Sequence, residues 1–159
     1  MIEEDQLALV TQIVYTVLDI ENLSEEEQLA AVQKNRSIIR FIPNPSEAVQ
    51  LAAVTKDGYA VTDIINPSEK VRLTAVSQNG NVIYYINNPS EEVQLAAVKK
   101  YSNAIRHILR PTKDVITVAL TKVEDFRLEE YQALLTKLFP DNMLMQNKWM
   151  RFYQARVGS

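Results

Sequence analysis

His107 is the only histidine in the chain, and the chain has no cysteine. A single imidazole cannot hold zinc without further ligands, so no metal site is expected. As a general base His107 would need a nucleophile within hydrogen-bond reach, and Ser102 and Tyr85 are the conceivable neighbours. The preferred reading is a helix residue in a basic neighbourhood, because catalysis requires a full constellation and one base is not that. Glu124-Asp125 and Glu129-Glu130 are adjacent carboxylates. Adjacent residues point apart on a helix, so they make poor acid/base pairs and read as solvated surface. Only three glycines are present, at 58, 80 and 158, which excludes the glycine-rich phosphate cradles. No enzyme activity and no cofactor are expected.

The elements that would position such residues are announced by repetition. NPSEAVQLAAV at 44–54, NPSEKVRLTAV at 66–76 and NPSEEVQLAAV at 88–98 recur every 22 residues. Val32, Val54, Val76, Val98 and Leu120 hold one phase, and Ile42, Ile64, Ile86 and Ile108 hold another. A degenerate copy, QLALV at 6–10, precedes them. A fixed period of this size marks a repeat architecture, in which one unit cannot bury its apolar face alone and stacked copies can. Each unit reads as two short helices. Asn44, Asn66 and Asn88 are expected as N-caps with proline at N1 and Glu47, Glu69 and Glu91 three residues on. Gly58 and Gly80 are expected to close the first helix as C′ glycines. A second segment of about eight residues, in part 3₁₀, follows.

The predicted fold is therefore an all-α, right-handed α-solenoid of about five 22-residue two-helix repeats with N- and C-terminal capping helices. The units fall near 1–22, 23–44, 45–66, 67–88, 89–110 and 111–125, with 126–159 a helical cap on the same globule. A helix over 3–20 would carry Leu7, Val10, Val14, Val17 and Leu18 on one stripe. A helix over 127–139 would turn Leu128, Tyr131, Leu134, Leu135 and Leu138 inward, and Pro140 would stop it. A last helix would run from near Asp141 to Arg156.

The NPSE-x-V-Q-L-A-A-V phrase resembles that of short helical repeat proteins of unknown function in bacteriophages, prophages and large viruses. More distantly it resembles HEAT-like and leucine-rich-variant repeats. The resemblance covers roughly residues 23–125. It implies an α-solenoid used as a protein-binding scaffold, and it supplies no catalytic residue. Its viral and prophage setting implies a phage-encoded factor that sterically blocks a host protein, such as a defence effector.

Candidate binding residues follow from stacking. The positions just before the last Ile of each unit would line up as Arg40/Phe41, Thr62/Asp63, Tyr84/Tyr85 and Arg106/His107, a ladder rich in the Arg and Tyr that dominate interfaces. Lys99, Lys100, Arg106, Arg110, Lys113 and Lys122 form a basic stretch that could track phosphates, with Tyr101 able to stack on a base. Residues 1–66 carry a net charge of −7 and residues 67–159 of +4, so the chain is acidic as a whole and charge polarised. That balance places a protein partner ahead of nucleic acid. Lys34, Lys56, Lys100 and Lys122 recur in the last turn of the first helices, with Gln78 breaking the series, and a cation there offsets the helix dipole. Met145, Trp149, Phe152 and Tyr153 would cap the open end of the stack or serve self-association there, giving a homo-oligomer through the solenoid ends. The acidic start MIEEDQLALV, the lack of a long uncharged apolar run and the lack of cysteine predict a cytoplasmic protein with no membrane segment.

Overall fold

A computed structural model describes residues 22–122, 124 and 126–157. The predicted helix over 3–20 and the degenerate first unit lie outside the described residues, as does Asp125. The described residues form eleven helices and no strand. Five α-helices and four 3₁₀ helices alternate: α1 Glu25–Lys34, η1 Arg36–Phe41, α2 Glu47–Lys56, η2 Gly58–Asp63, α3 Glu69–Gln78, η3 Gly80–Tyr85, α4 Glu91–Lys100, η4 Ser102–His107 and α5 Lys113–Thr121. Then come α6 Leu128–Leu138 and α7 Met143–Val157. Successive α-helices pack on one another, and so do successive 3₁₀ helices, which makes a helical repeat array.

The helix starts differ from the sequence expectation by two residues. Ser46, Ser68 and Ser90 are the N-caps, with Ser24 and Thr112 in the outer units. Each hydroxyl accepts the N–H of the third helical residue, as Ser46 does from Val49 at 3.3 Å. Asn44, Asn66 and Asn88 instead have φ of 48°, 52° and 46°. Asn tolerates this left-handed conformation, and it turns the chain just before the proline. Proline then stands one residue before the cap, not at N1.

The cap hydroxyl has a second role. Ser46 donates to Glu25, Ser68 to Glu47, Ser90 to Glu69 and Thr112 to Glu91, the first helical residue of the preceding unit each time. One hydroxyl thus finishes its own helix and ties it to its neighbour. The glutamine of VQLAAV serves the same turn: Gln50 and Gln94 donate through Nε2 to the carbonyls of Pro45 and Pro89 at 2.9 and 3.0 Å. Arg72 does so through Nε to Pro67 at 3.0 Å.

The α-to-3₁₀ junction corrects the glycine assignment. Asn35, Asp57 and Asn79 adopt extended backbone, end the α-helix, and accept from the N–H two residues on. Gly58 and Gly80 follow as the first 3₁₀ residues, and neither has positive φ. They are small because the next unit is close. A Cβ on Gly58 would lie 2.5 Å from the carbonyl oxygen of Ala75, and one on Gly80 would lie 2.5 Å from that of Ala97. Arg36 and Ser102 hold this place in the outer units, so the close approach belongs to the central ones.

With three residues per turn, a 3₁₀ helix puts i and i+3 on one face. Val61 and Ile64, Ile83 and Ile86, and Ile105 and Ile108 therefore point inward together, and all are buried. They join Val32, Val54, Val76, Val98 and Leu120, each fully buried, in one core that runs on into the cap. There Tyr131 is fully buried and donates to the Leu120 carbonyl at 3.1 Å, closing the last α-helix of the array. Burial pushes its phenol well above the usual tyrosine range, with the neighbouring Tyr153 adding to the effect. Tyr153 donates to the Phe126 carbonyl at 3.1 Å. Leu134 and Leu135 are buried as expected, but Leu128 at the first position of α6 is exposed. The last helix begins at Met143, where Asn142 accepts from Met145.

Two substitutions test this account by chemical denaturation. Gly80→Ala forces a methyl against a backbone oxygen and should cost about 1–3 kcal/mol, as overpacking does. Ser90→Ala removes a cap and one inter-unit bond, and should cost about 1–2 kcal/mol. Pairing Ser90→Ala with Glu69→Ala in a double-mutant cycle should show a coupling of about 0.5 kcal/mol or more. Strict additivity would mean that the Glu–Ser contact contributes nothing.

Candidate functional site

The inward period of the 3₁₀ helices leaves their last two residues outward, so Arg40/Phe41, Thr62/Asp63, Tyr84/Tyr85 and Arg106/His107 do share one side. They divide into two chemically different ends. At the first, Asp63 accepts from Arg40 at 3.2 Å and lies 3.9 Å from Arg36, which pairs with Asp57 at 2.6 Å. The Arg40 guanidinium also sits 5.9 Å from the centroid of the Phe41 ring. These charges satisfy one another across units. Exposed pairs of this kind contribute about 0–1 kcal/mol and offer a partner little unpaired charge.

The second end is aromatic. Tyr84 and Tyr85 are 64% and 53% exposed. Their rings meet edge to face with centroids 5.0 Å apart, and Tyr85 meets Tyr59 at 6.1 Å. Tyr84 meets His107 at 5.3 Å. Together with Asn81, Tyr101, Asn103 and Arg106 these side chains line an open hollow of about 420 Å³. The hollow crosses η2, η3 and η4, so three units build it. Exposed tyrosines on a surface that need not bury them suit an interface: they supply large contact area with few rotatable bonds.

Three of the lining residues, Tyr59, Asn81 and Asn103, escaped the sequence reading, whereas Tyr101 is singled out there only as a residue that could stack on a nucleic-acid base. All three have a recognisable signal. Tyr59, Asn81 and Asn103 precede Thr62, Tyr84 and Arg106 by three residues, so they lie one 3₁₀ turn away on the same face. Two outward positions were read where this period presents more. Asn103 is only 7% exposed, and its Oδ1 has no hydrogen-bond partner, while its Nδ2 donates to the Tyr101 hydroxyl at 3.4 Å.

His107 stands on the exposed rim of the hollow. Partial burial lowers its pKa below the ordinary imidazole value, and the nearby Arg106 and Lys137 charges lower it further. Ser102 is fully buried, and no hydrogen bond among the described residues joins it to His107. No group of three or more metal-ligating side chains occurs among the described residues.

The basic stretch is not one patch. Lys99, Lys100 and Lys122 sit at the C-terminal ends of α4 and α5, whereas Arg110 and Lys113 flank the N-terminal end of α5. A ten-residue helix spans about 15 Å, and that length separates the two groups. The recurrent lysines also have structural work. Lys56 donates to the carbonyls of Gln33 and Lys34, and Lys122 donates to that of Lys99 at 2.7 Å. Each reaches the C-terminal end of the preceding α-helix and offsets its negative pole.

In the C-terminal helix, Trp149 and Tyr153 are buried, and Met145, Met150 and Phe152 pack partly buried against the core. Trp149 and Phe152 meet edge to face at 5.6 Å, and Arg156 lies over Phe152 at 5.3 Å. Trp149 and Tyr153 thus join the core at the end of the array, while Met143 and Leu144 at the start of the same helix are exposed. Comparison with family models, with curated proteins and with solved structures gives no match. No helix is long and apolar enough to cross a membrane among the described residues.

His107 yields a pH test. A depressed folded pKa means that the unfolded chain takes up a proton first as pH falls. The stabilising preference for neutral His107 is fully present above the unfolded value of about 6.5 and is lost as pH falls through the lower folded value. Thermal melts between about pH 8 and 5 should therefore show the wild type losing more stability than His107→Gln below about pH 6.5. Parallel curves would mean that His107 does not feel its neighbours.

Proposed function

We propose that this chain is a non-catalytic protein-binding module whose contact face is the tyrosine-lined surface of η2, η3 and η4. The observation that carries this reading is the exposed edge-to-face cluster of Tyr59, Tyr84, Tyr85 and His107 beside Arg106. A core of repeated, mutually capped units fixes the backbone that carries these rings, which lowers the ordering cost of binding. The action would be steric: an occupied face on the partner. With the resemblance to viral and prophage repeat proteins, the partner would be a host protein whose working surface is blocked, such as a defence effector. Nucleic acid is disfavoured by the acidic whole and by the separation of Lys99, Lys100 and Lys122 from Arg110 and Lys113.

The test is affinity capture from candidate host cells, with and without nuclease, using wild type, Tyr84→Ala/Tyr85→Ala/Arg106→Ala, and Arg40→Ala. A protein retained after nuclease should bind the triple variant about 30-fold or more weakly, as loss of hot-spot residues implies. Arg40→Ala should change it little, because Arg40 is already paired within the chain. Capture that disappears with nuclease, or that survives the triple variant unchanged, would overturn the assignment.

A further inference from the structure

We propose that the Asn79–Gly80 pair is a self-modification site, held shut by the native fold and opened when its junction between units comes apart. It is the only Asn-Gly pair in the chain: every other asparagine precedes a proline or a residue with a side chain. The reaction needs only water. The backbone nitrogen of Gly80 attacks the side-chain carboxamide carbon of Asn79, loses its proton, and expels ammonia, which leaves a five-membered imide. Water then opens the ring at one carbonyl or the other, giving aspartate or isoaspartate at 79. Glycine permits this because no side chain shields its nitrogen, whereas proline offers no N–H. Asp57–Gly58 is the equivalent pair one unit earlier. It reacts less readily, since an ionised carboxylate resists attack by a nitrogen nucleophile.

Three hydrogen bonds keep the site shut. The Asn79 N–H donates to the Ala75 carbonyl at 3.0 Å, and the Asn79 carbonyl accepts from Val82 at 3.1 Å. Its side-chain Oδ1 accepts from the Asn81 N–H at 3.0 Å. Ring closure must bring the Gly80 nitrogen into line with the Asn79 Cβ about the Cα–C bond, which for an L residue needs a strongly negative ψ. Asn79 stands at ψ 107°. Turning that bond would swing Gly80, and Gly80 is hemmed in. A Cβ built on it would lie 2.5 Å from the Ala97 oxygen and 3.2 Å from the Tyr101 Cβ, both in the next unit. The start of η3 must therefore leave the next unit before the nitrogen reaches the carboxamide.

The fold treats the two products differently. An aspartate at 79 has a precedent in Asp57, which ends its own α-helix at φ −154° and ψ 117° and accepts from the Tyr59 N–H at 2.9 Å. Asp57 also pairs with Arg36, while Gly58 holds the corresponding place before Asn79, so the new charge has no such arginine. Isoaspartate routes the main chain through Cβ and adds one carbon to it. That displaces Gly80 from its place against Ala97 and carries η3, with Tyr84 and Tyr85, out of line. The aspartate form restacks and the isoaspartate form does not.

The experiment incubates the full chain at mildly alkaline pH in buffer and in guanidinium chloride. The tryptic peptide 73–99 is followed by mass spectrometry, with fragmentation to locate the change. Conversion at Asn79 should run about tenfold or more slower in buffer, since reaction through an opened state scales with the population of that state. Ser90→Ala, which removes a cap and a bond between α3 and α4, should speed conversion in buffer about threefold or more and leave the rate in denaturant unchanged. Asn79→Asp should fold, with a melting temperature within about 5 °C of wild type. After dilution from denaturant and a protease pulse, the surviving chains should be enriched in aspartate over isoaspartate at 79. Equal rates in buffer and denaturant would overturn the proposal, and so would conversion that begins at Asn81, Asn87 or Asn88. A buffer rate that ignores Ser90→Ala would show that the junction between units is not the gate. Failure of Asn79→Asp to fold, or survival of both products alike, would overturn the difference between them.

Discussion

One hydroxyl per unit joins this molecule together. A helix of ten residues is too short to be stable alone in water, and its first N–H groups need acceptors. The cap serine supplies one and then spends its own proton on a carboxylate of the unit before. Local order and inter-unit order are therefore settled at the same atom. The α-helices can stack only in the offset that brings Ser to Glu, and that offset places the buried valines of successive helices in contact. It also aligns the 3₁₀ helices behind them, and with those the exposed rings.

The period of the fold was legible because it is written in apolar residues. Val32, Val54 and Val76 are fully buried in successive units, and stacking the units is what buries them. The caps were less legible. Asn-Pro-Ser-Glu contains two good cap residues two positions apart, and propensity alone does not choose between them. Asn is the residue that accepts positive φ at little cost, which leaves the cap to Ser, whose hydroxyl then accepts from its own helix and donates to the glutamate. The glycines were read through local backbone rules, but their reason lies a whole unit away, in the oxygens of Ala75 and Ala97. Contacts across units leave no local trace at the residue they constrain.

The candidate face was half legible for a related reason. The outward pairs ending each 3₁₀ helix could be counted back from the last isoleucine. Asn81 and Asn103 lie three residues before Tyr84 and Arg106, a spacing that shares a face in either kind of helix, and they fall outside a reading that takes only the last two positions of each 3₁₀ helix as outward. The ion pairs of Arg40 with Asp63 and Arg36 with Asp57 join different units and separate a self-satisfied end of the face from an aromatic one. The basic stretch, contiguous in sequence, is split by the length of a helix.

The Ser–Glu ladder also makes the molecule modular in length. Every rung spans the same 21 residues, from Glu25 to Ser46 and on to Glu91 and Thr112. Adding or losing one whole unit leaves each remaining rung with its partner, whereas adding or losing any other number of residues breaks the count at once. Such a chain can be lengthened by duplication of a single unit without a new core having to be invented. Each added unit contributes one more outward pair, so the reach of the face grows in steps of one rung while its chemistry drifts by substitution at two or three positions. The ladder stops at Lys113, which stands where the next glutamate would be, and there the array gives way to a helix pair that shields its end.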